Sequence, residues 1–253
     1  MLLKAIGSIG DVSSFGIRAL RASIRPPFEV GQIIRQMYEF GSRSLVLIAA
    51  AGFAVGAVMS MHTRASLERF GAEAMIPAGL GIALIKETGP LVTALLFSGR
   101  VGAGIGAQLG AMRVSEQIDA LETLAIDSFK YLVVTRVLAC IAVMPLLVTA
   151  ANFAGIFGGY LSETVISGMS FRLYWERAFS LIGFSDYIPA TMKTSVFGFI
   201  IGTTSAYLGY NTTGGTAGVG QAATRSVVFS SILVILSNVV IVKAIFFIFP
   251  TGS

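Results

Sequence analysis

Five stretches of the chain are apolar at most positions: 44–62, 75–98, 131–160, 190–210 and 227–249. A helix needs about 20 such residues to cross the hydrocarbon core of a bilayer, so each stretch is predicted to be a transmembrane span. The second is interrupted by Lys86 and Glu87. Ahead of the first span the pattern becomes amphipathic. Ile6, Ile9, Phe15, Ile17, Leu20 and Ile24 recur among Lys4, Arg18, Arg21 and Arg25, and after Pro26 and Pro27 the series Val30, Ile33, Ile34, Met37 and Phe40 repeats helical spacing. Helices of this kind lie in the headgroup plane, so 1–43 is predicted to be interfacial. Between the second and third spans, 111–127 is polar but helix-periodic. Val114, Ile118, Leu121 and Leu124 mark one face, and Glu116, Asp119 and Glu122 another. Ser115 is the predicted N-cap, with Glu116 favourably placed in the first turn. A helix this short is marginal alone in water. It requires a partner surface, either its own bundle or another protein.

The predicted fold is therefore an all-α integral membrane protein, with N-terminal interfacial amphipathic helices, five transmembrane helices and a short helix in a polar loop. Composition agrees. Apolar residues make up 55% of the chain and charged residues 12%, against about a quarter charged in soluble domains. A chain of 253 residues with five spans forms one membrane domain over 1–253, without room for a separate soluble catalytic domain. Residues 1–43 lack the uninterrupted apolar core and cleavage site of a secretory signal.

The net charge of +5 comes from dispersed basic residues bordering apolar spans. Anionic headgroups suit them better than nucleic acid. With 1–43 inside, five crossings leave 99–130 and 209–226 inside, and 63–74, 161–189 and the C-terminal tail outside. Lys4, Arg18, Arg21, Arg25, Arg35, Arg43, Arg100, Arg113, Lys130 and Arg225 then fall inside, against Arg64, Arg69, Arg172 and Arg177 outside, with Arg136 and Lys193 near the boundaries. The positive-inside bias thus predicts a cytoplasmic N-terminus and a periplasmic C-terminus. A single cysteine, Cys140, inside an apolar span provides neither a disulfide nor a thiol metal site. A single histidine, His62, makes neither a metal site nor a triad without partners. No cofactor or metal is expected.

Ionisable groups at membrane depth are costly and mark function by default. Glu87 coincides with a backbone break, because Gly89 permits close approach and Pro90 removes a helical hydrogen bond. Such a carboxylate either lines a cavity for a lipid headgroup or steers a gate. The alternative is that Lys86 and Glu87 pair with other bundle residues for structure alone. Met59, Leu67 and Phe70, near His62, either form the apolar mouth of an acyl-chain pocket or simply pack. Gly102, Gly106 and Gly110 have the spacing of close helix contacts. The Gly215 to Gly220 spacing leads into Gln221 and Ala222 rather than Lys and Ser or Thr, so no phosphate loop is present and no ATP site is expected on this chain.

The run KETGPLVTALLFSGRVGAGIGAQLGAMRVSEQIDALETLAIDSFKYLVVTR resembles the signature region of the MlaE/YrbE family, the permease subunits of ABC-type lipid transporters that work with MCE proteins. GYNTTGGTAGVGQAATRSVVFSS at 209–231 extends the resemblance toward the last span, while Ser128 and Thr135 stand where relatives commonly carry proline. The resemblance implies that Glu116, Gln117, Ile118, Asp119, Ala120, Leu121 and Glu122 form a cytoplasmic coupling helix to a separate ABC ATPase, and that Glu87 lies on a lipid pathway. It further implies a homodimer in the bacterial inner membrane, an MCE-domain protein on the outer face, a phospholipid substrate and, in some relatives, a STAS-type subunit. An enzyme is not expected. Two other classes remain open. An ATPase-independent transporter or channel would place ionisable residues within several spans, and a structural anchor for an outer-face complex would leave Glu87 and the 111–127 insert dispensable.

Overall fold

A computed structural model describes residues 2–26 and 28–248, with only the backbone described for 2–9, Ser185, Phe246 and Ile248. Pro27, Phe249 at the end of the predicted last span, the tail beyond it, and the side chains of Lys4, Ile6 and Ile9 lie outside the described residues. The described chain is helical. Its helices are α1 (Leu2–Ser23), α2 (Val30–Leu67), α3 (Ile76–Ala83), α4 (Gly89–Phe97), α5 (Ala103–Val114), α6 (Gln117–Thr123), α7 (Thr135–Ser167), α8 (Phe171–Ser180), α9 (Phe184–Tyr210) and α10 (Gly215–Ile248). Wider π-turns at Leu84–Thr88 and Ser98–Gly102 join α3, α4 and α5 into one run, and a third at Phe129–Val134 leads into α7. Such turns insert an extra residue per turn and often mark functional positions.

Four helical runs among the described residues are long and apolar enough to cross a membrane: Val30–Phe70, Glu73–Val114, Phe129–Ser167 and Gly215–Ile245. The predicted span 190–210 falls in α9, which is not among them. Its position explains the lower apolar content. α9 is flanked by α7, α10 and α5, and Thr194, Thr203, Thr204 and Ser205 are buried beside Phe197 and Ile201. A helix sheltered by other helices meets protein rather than acyl chains, so hydroxyl-bearing side chains are tolerated there.

The first amphipathic segment is a separate helix, α1. The second is not. Residues 30–43 form the opening turns of α2, which runs unbroken for 38 residues, about 57 Å at 1.5 Å per residue. The prolines that separate it from α1 precede Val30, and nothing between Val30 and Ser44 stops a helix. α10 likewise begins at Gly215, so much of 209–226, expected to lie between the last two spans, is helical.

α2 and α7 make the most extensive contact in the bundle. A Cβ on Gly56 would overlap the carbonyl of Gly155, and one on Gly52 would overlap that of Ala151. Small residues let the two backbones touch, the source of packing energy where lipid is as apolar as the core. At one end of this seam Arg64 donates to Glu163 of α7 and, at 3.4 Å, to Glu73. A core around Phe97, Leu109, Ile118, Val137, Phe197 and Ile201 fills the α6 end of the bundle. A smaller one around Leu80, Leu84, Ile156, Tyr174 and Ala178 fills the α8 end.

Candidate functional site

The break at Glu87 is built by backbone chemistry. Pro90 has no N–H to give the carbonyl of Lys86, its partner one turn earlier. Lys193 Nζ, reaching over from α9, takes that carbonyl at 2.6 Å. The same ammonium donates to Glu87 Oε2 at 2.9 Å and to Asn238 Oδ1 of α10 at 3.3 Å. Asn238 Nδ2 donates to the other carboxylate oxygen, Glu87 Oε1. Three helical runs thus converge on one carboxylate.

Burial is uneven within the group. The Lys193 side chain is 2% exposed and that of Glu87 45% exposed. The ammonium is therefore the locked partner, and the carboxylate keeps one face open. Next to it, Lys86 Nζ lies 2.7 Å from Asp186 Oδ1 in the first turn of α9. The Asp186 carboxyl is held below the usual carboxylate range, chiefly by the hydrogen bond from Lys86 and secondarily by the Gly183 N–H, against the opposing cost of burial. Lys86 and Glu87 are thus both paired, one of the two alternatives open at the sequence level, while the exposure of Glu87 leaves it able to meet a ligand. Gly89 has its own constraint, since a Cβ there would overlap Asn152 Oδ1 of α7.

The polar insert folds as α6 between two left-handed residues, Glu116 and Ala125, each at φ 58°. Ser115 does not cap α6. Its hydroxyl donates back to the Ala111 carbonyl at 2.8 Å, ending α5, and Glu116 takes the N-cap position without a side-chain cap bond. At the other end the N–H of Ile126 reaches the Leu121 carbonyl (3.1 Å) and that of Ala125 reaches the Glu122 carbonyl (3.0 Å). This double closure usually places glycine where Ala125 stands. Ile118 is fully buried in the main core, with Val114 and Leu121 half-buried. Leu124, expected on the same face, is 71% exposed, because the helix ends at Thr123 and the chain turns away. Glu116, Gln117, Asp119, Ala120 and Glu122 face outward.

Two polar contacts also tie α6 to the bundle. Asp119 pairs with Arg113 of α5 at 2.7 Å. Glu122 Oε1 accepts from Ser128 Oγ at 2.6 Å and from Tyr210 OH, at the end of α9, at 3.4 Å, and the two hydroxyls lie 2.9 Å apart. α9 consequently touches α6 through Tyr210 and Glu87 through Lys193, 17 residues and about 25 Å apart along one helix.

Other predicted residues are placed as follows. Gly102 faces Ser205 and Ile201 of α9, Gly106 faces Ser226 and Ala222 of α10, and Gly110 faces Thr212. Met59 packs into the core at the α8 end, Leu67 is half-buried and Phe70 is 82% exposed. Lys193, Asn238, Asp186 and Tyr210 were not singled out from the sequence. Lys193 alone carried a usable signal, as a cation within an apolar stretch.

A family model described as Permease MlaE matches residues 33–244. The chain is 41% identical over 244 residues to a probable ABC transporter permease protein of Rickettsia bellii, covering 96% of this chain and 94% of that one. It is 31% identical over 245 residues to the intermembrane phospholipid transport system permease protein MlaE of Haemophilus influenzae, covering 96% and 92%. It is also 30% identical over 208 residues to the chloroplastic protein TRIGALACTOSYLDIACYLGLYCEROL 1 of Arabidopsis thaliana, covering 82% and 59%.

Proposed function

This chain belongs to the MlaE permease family, and we propose that it moves phospholipid between the inner membrane and an outer-face MCE protein, driven by a separate cytoplasmic ATPase. The chain is the membrane-spanning permease component of an ABC-type system rather than an enzyme. We place the α6 end in the cytoplasm and assign a homodimer, with the exposed face of Glu87 turned toward the lipid pathway. Glu116, Gln117, Asp119 and Ala120 form the face offered to the ATPase, and Ile118 and Leu121 anchor the helix beneath it. A STAS-type subunit would join outside this surface.

The observation that carries the proposal is the double attachment of α9. ATP binding closes the ATPase dimer and displaces α6. The Glu122–Ser128–Tyr210 contact passes that displacement to α9, which carries Lys193 and therefore the grip on Glu87. A partner shifts a conformational equilibrium only through different affinity for its states, so the outward face of α6 must meet the ATPase differently in the two. Charge reversal of Asp119 and Glu122 together is expected to uncouple ATP hydrolysis from lipid movement while leaving the protein in the membrane. Unchanged lipid transfer by that variant in proteoliposomes would overturn the assignment. Failure of any ATPase to co-purify with the tagged chain from its native membrane would favour an ATPase-independent transporter or an anchor.

A further inference from the structure

At the α6 end of the bundle a cavity of about 940 Å³ opens between the last turns of α1, the connection to α2 and the segment following α6. Arg18, Arg21, Arg25 and Lys130 line it, together with the carboxylates of Glu29 and Asp127. Four cations thus meet two carboxylates, and among the described residues none of the four is paired with a carboxylate. The basic wall is held in place. The Arg18 guanidinium lies 4.2 Å over the Phe129 ring, Lys130 Nζ donates to the Arg25 carbonyl, and Asp127 Oδ1 accepts the Lys130 backbone N–H at 3.0 Å. Arg21 and Arg25 are exposed and keep their guanidinium donors free of carboxylate partners.

The last turns of α1 and the residue after it expose Ile17, Leu20 and Ile24 between these arginines. Aliphatic side chains interleaved with guanidinium groups suit the boundary of a bilayer, where the former enter the acyl region and the latter stay among the phosphates. An acidic protein surface would leave the aliphatic positions unsatisfied. A bare phosphate would occupy only a small part of the cavity.

We propose that this cavity binds the headgroup of an anionic phospholipid, with Arg21 and Arg25 holding the phosphodiester by paired N–H donors. None of its lining residues belongs to the Glu87 group, so the site is distinct from that group. It is a retained lipid clamp that fixes α1 to the bundle.

The test uses the full-length chain with its co-purifying subunits in uncharged detergent, titrated with short-chain phosphatidylglycerol, phosphatidylcholine of the same chain length, or inorganic phosphate. Native mass spectrometry and thermal unfolding provide the readouts. Phosphatidylglycerol is expected to bind and raise the Tm, and the other two are expected to do neither. Arg21→Gln with Arg25→Gln should weaken phosphatidylglycerol binding by roughly 30-fold, about fivefold for each cation lost. Arg21→Lys with Arg25→Lys keeps the charge but not the paired donors, and should bind more tightly than the glutamine variant and more weakly than the unaltered protein. Equal binding of phosphatidylcholine, the same Tm shift with phosphate, or unchanged affinity in the glutamine variant overturns the proposal. So does loss of a co-purifying protein at unchanged lipid affinity, which would assign the surface to that protein.

Discussion

Lys193 and Glu87 share one ion pair but not one environment: the ammonium is enclosed by α9, α10 and the Lys86 carbonyl, while the carboxylate stands half open. An uncompensated charge is most costly where water cannot reach it, so the two halves of the pair are not equivalent.

Removing the carboxylate should therefore cost more than removing the ammonium. Glu87→Ala leaves a buried cation with only neutral acceptors and is expected to destabilise by about 3 kcal/mol, the lower end for a broken buried pair. Lys193→Ala leaves a half-open carboxylate that keeps its hydrogen bond from Asn238, so its cost should be smaller. The double variant should be more stable than Glu87→Ala alone. Unfolding of the three variants in one detergent checks the order, and equal losses would contradict the asymmetry.

Tyr210→Phe deletes one hydroxyl from the contact between α6 and α9. Its cost in stability should be small, about 1 kcal/mol. Lipid moved per ATP hydrolysed in proteoliposomes should fall all the same, because the contact transmits displacement. An unchanged ratio would mean that α9 does not carry the signal.

Gly56→Ala forces a methyl group against the Gly155 carbonyl. The seam between α2 and α7 must then open, at an expected 1–3 kcal/mol, or roughly the cost of overpacking. Gly99→Ala is the control, since a Cβ there meets nothing within 4 Å. Paired Tm measurements should separate the two variants.

Ala125→Gly relieves a left-handed residue at the end of α6. A gain of up to about 1 kcal/mol is expected, the penalty of that conformation for an L-residue less the entropy glycine adds to the unfolded chain. Slower hydrogen exchange of the α6 amides would report it.

Asp186 gives a pH signature. Its folded-state pKa is lowered by Lys86, so its contribution is fully present above the unfolded value of about 3.9 and is lost as pH falls through the folded one. The Tm gap between the protein and Asp186→Asn should stay constant from neutral pH down to about 5 and shrink below about 4. A gap that widened on acidification would reverse the sign.

Much of this was legible in the chain. KETGP announced both the break and the charge at Glu87, because proline and paired ionisable groups rarely coincide in an apolar run without cause. Its partners were hidden for a physical reason. Lys193 sits near the start of an apolar stretch, where a cation ordinarily reaches for the interface, and only the packing of α9 against α10 turns it inward. Asn238 has no local signal at all. The short helix was visible from Ile118 and Leu121, but its cap was not, since Ser115 can bond backward or forward and the turn at Glu116 decides which. Gly52 and Gly56 carried the same four-residue spacing as Gly102 and Gly106, yet only the facing Ala151 and Gly155 reveal a seam.

The grip of Lys193 on the Lys86 carbonyl carries a last consequence. A main-chain oxygen has no codon of its own, so no replacement of the Lys86 side chain can delete this acceptor. What exposes it is a residue four positions later, Pro90, which has no hydrogen to offer. Docking of α9 at this carbonyl therefore depends on Pro90 as well as on the charged residues.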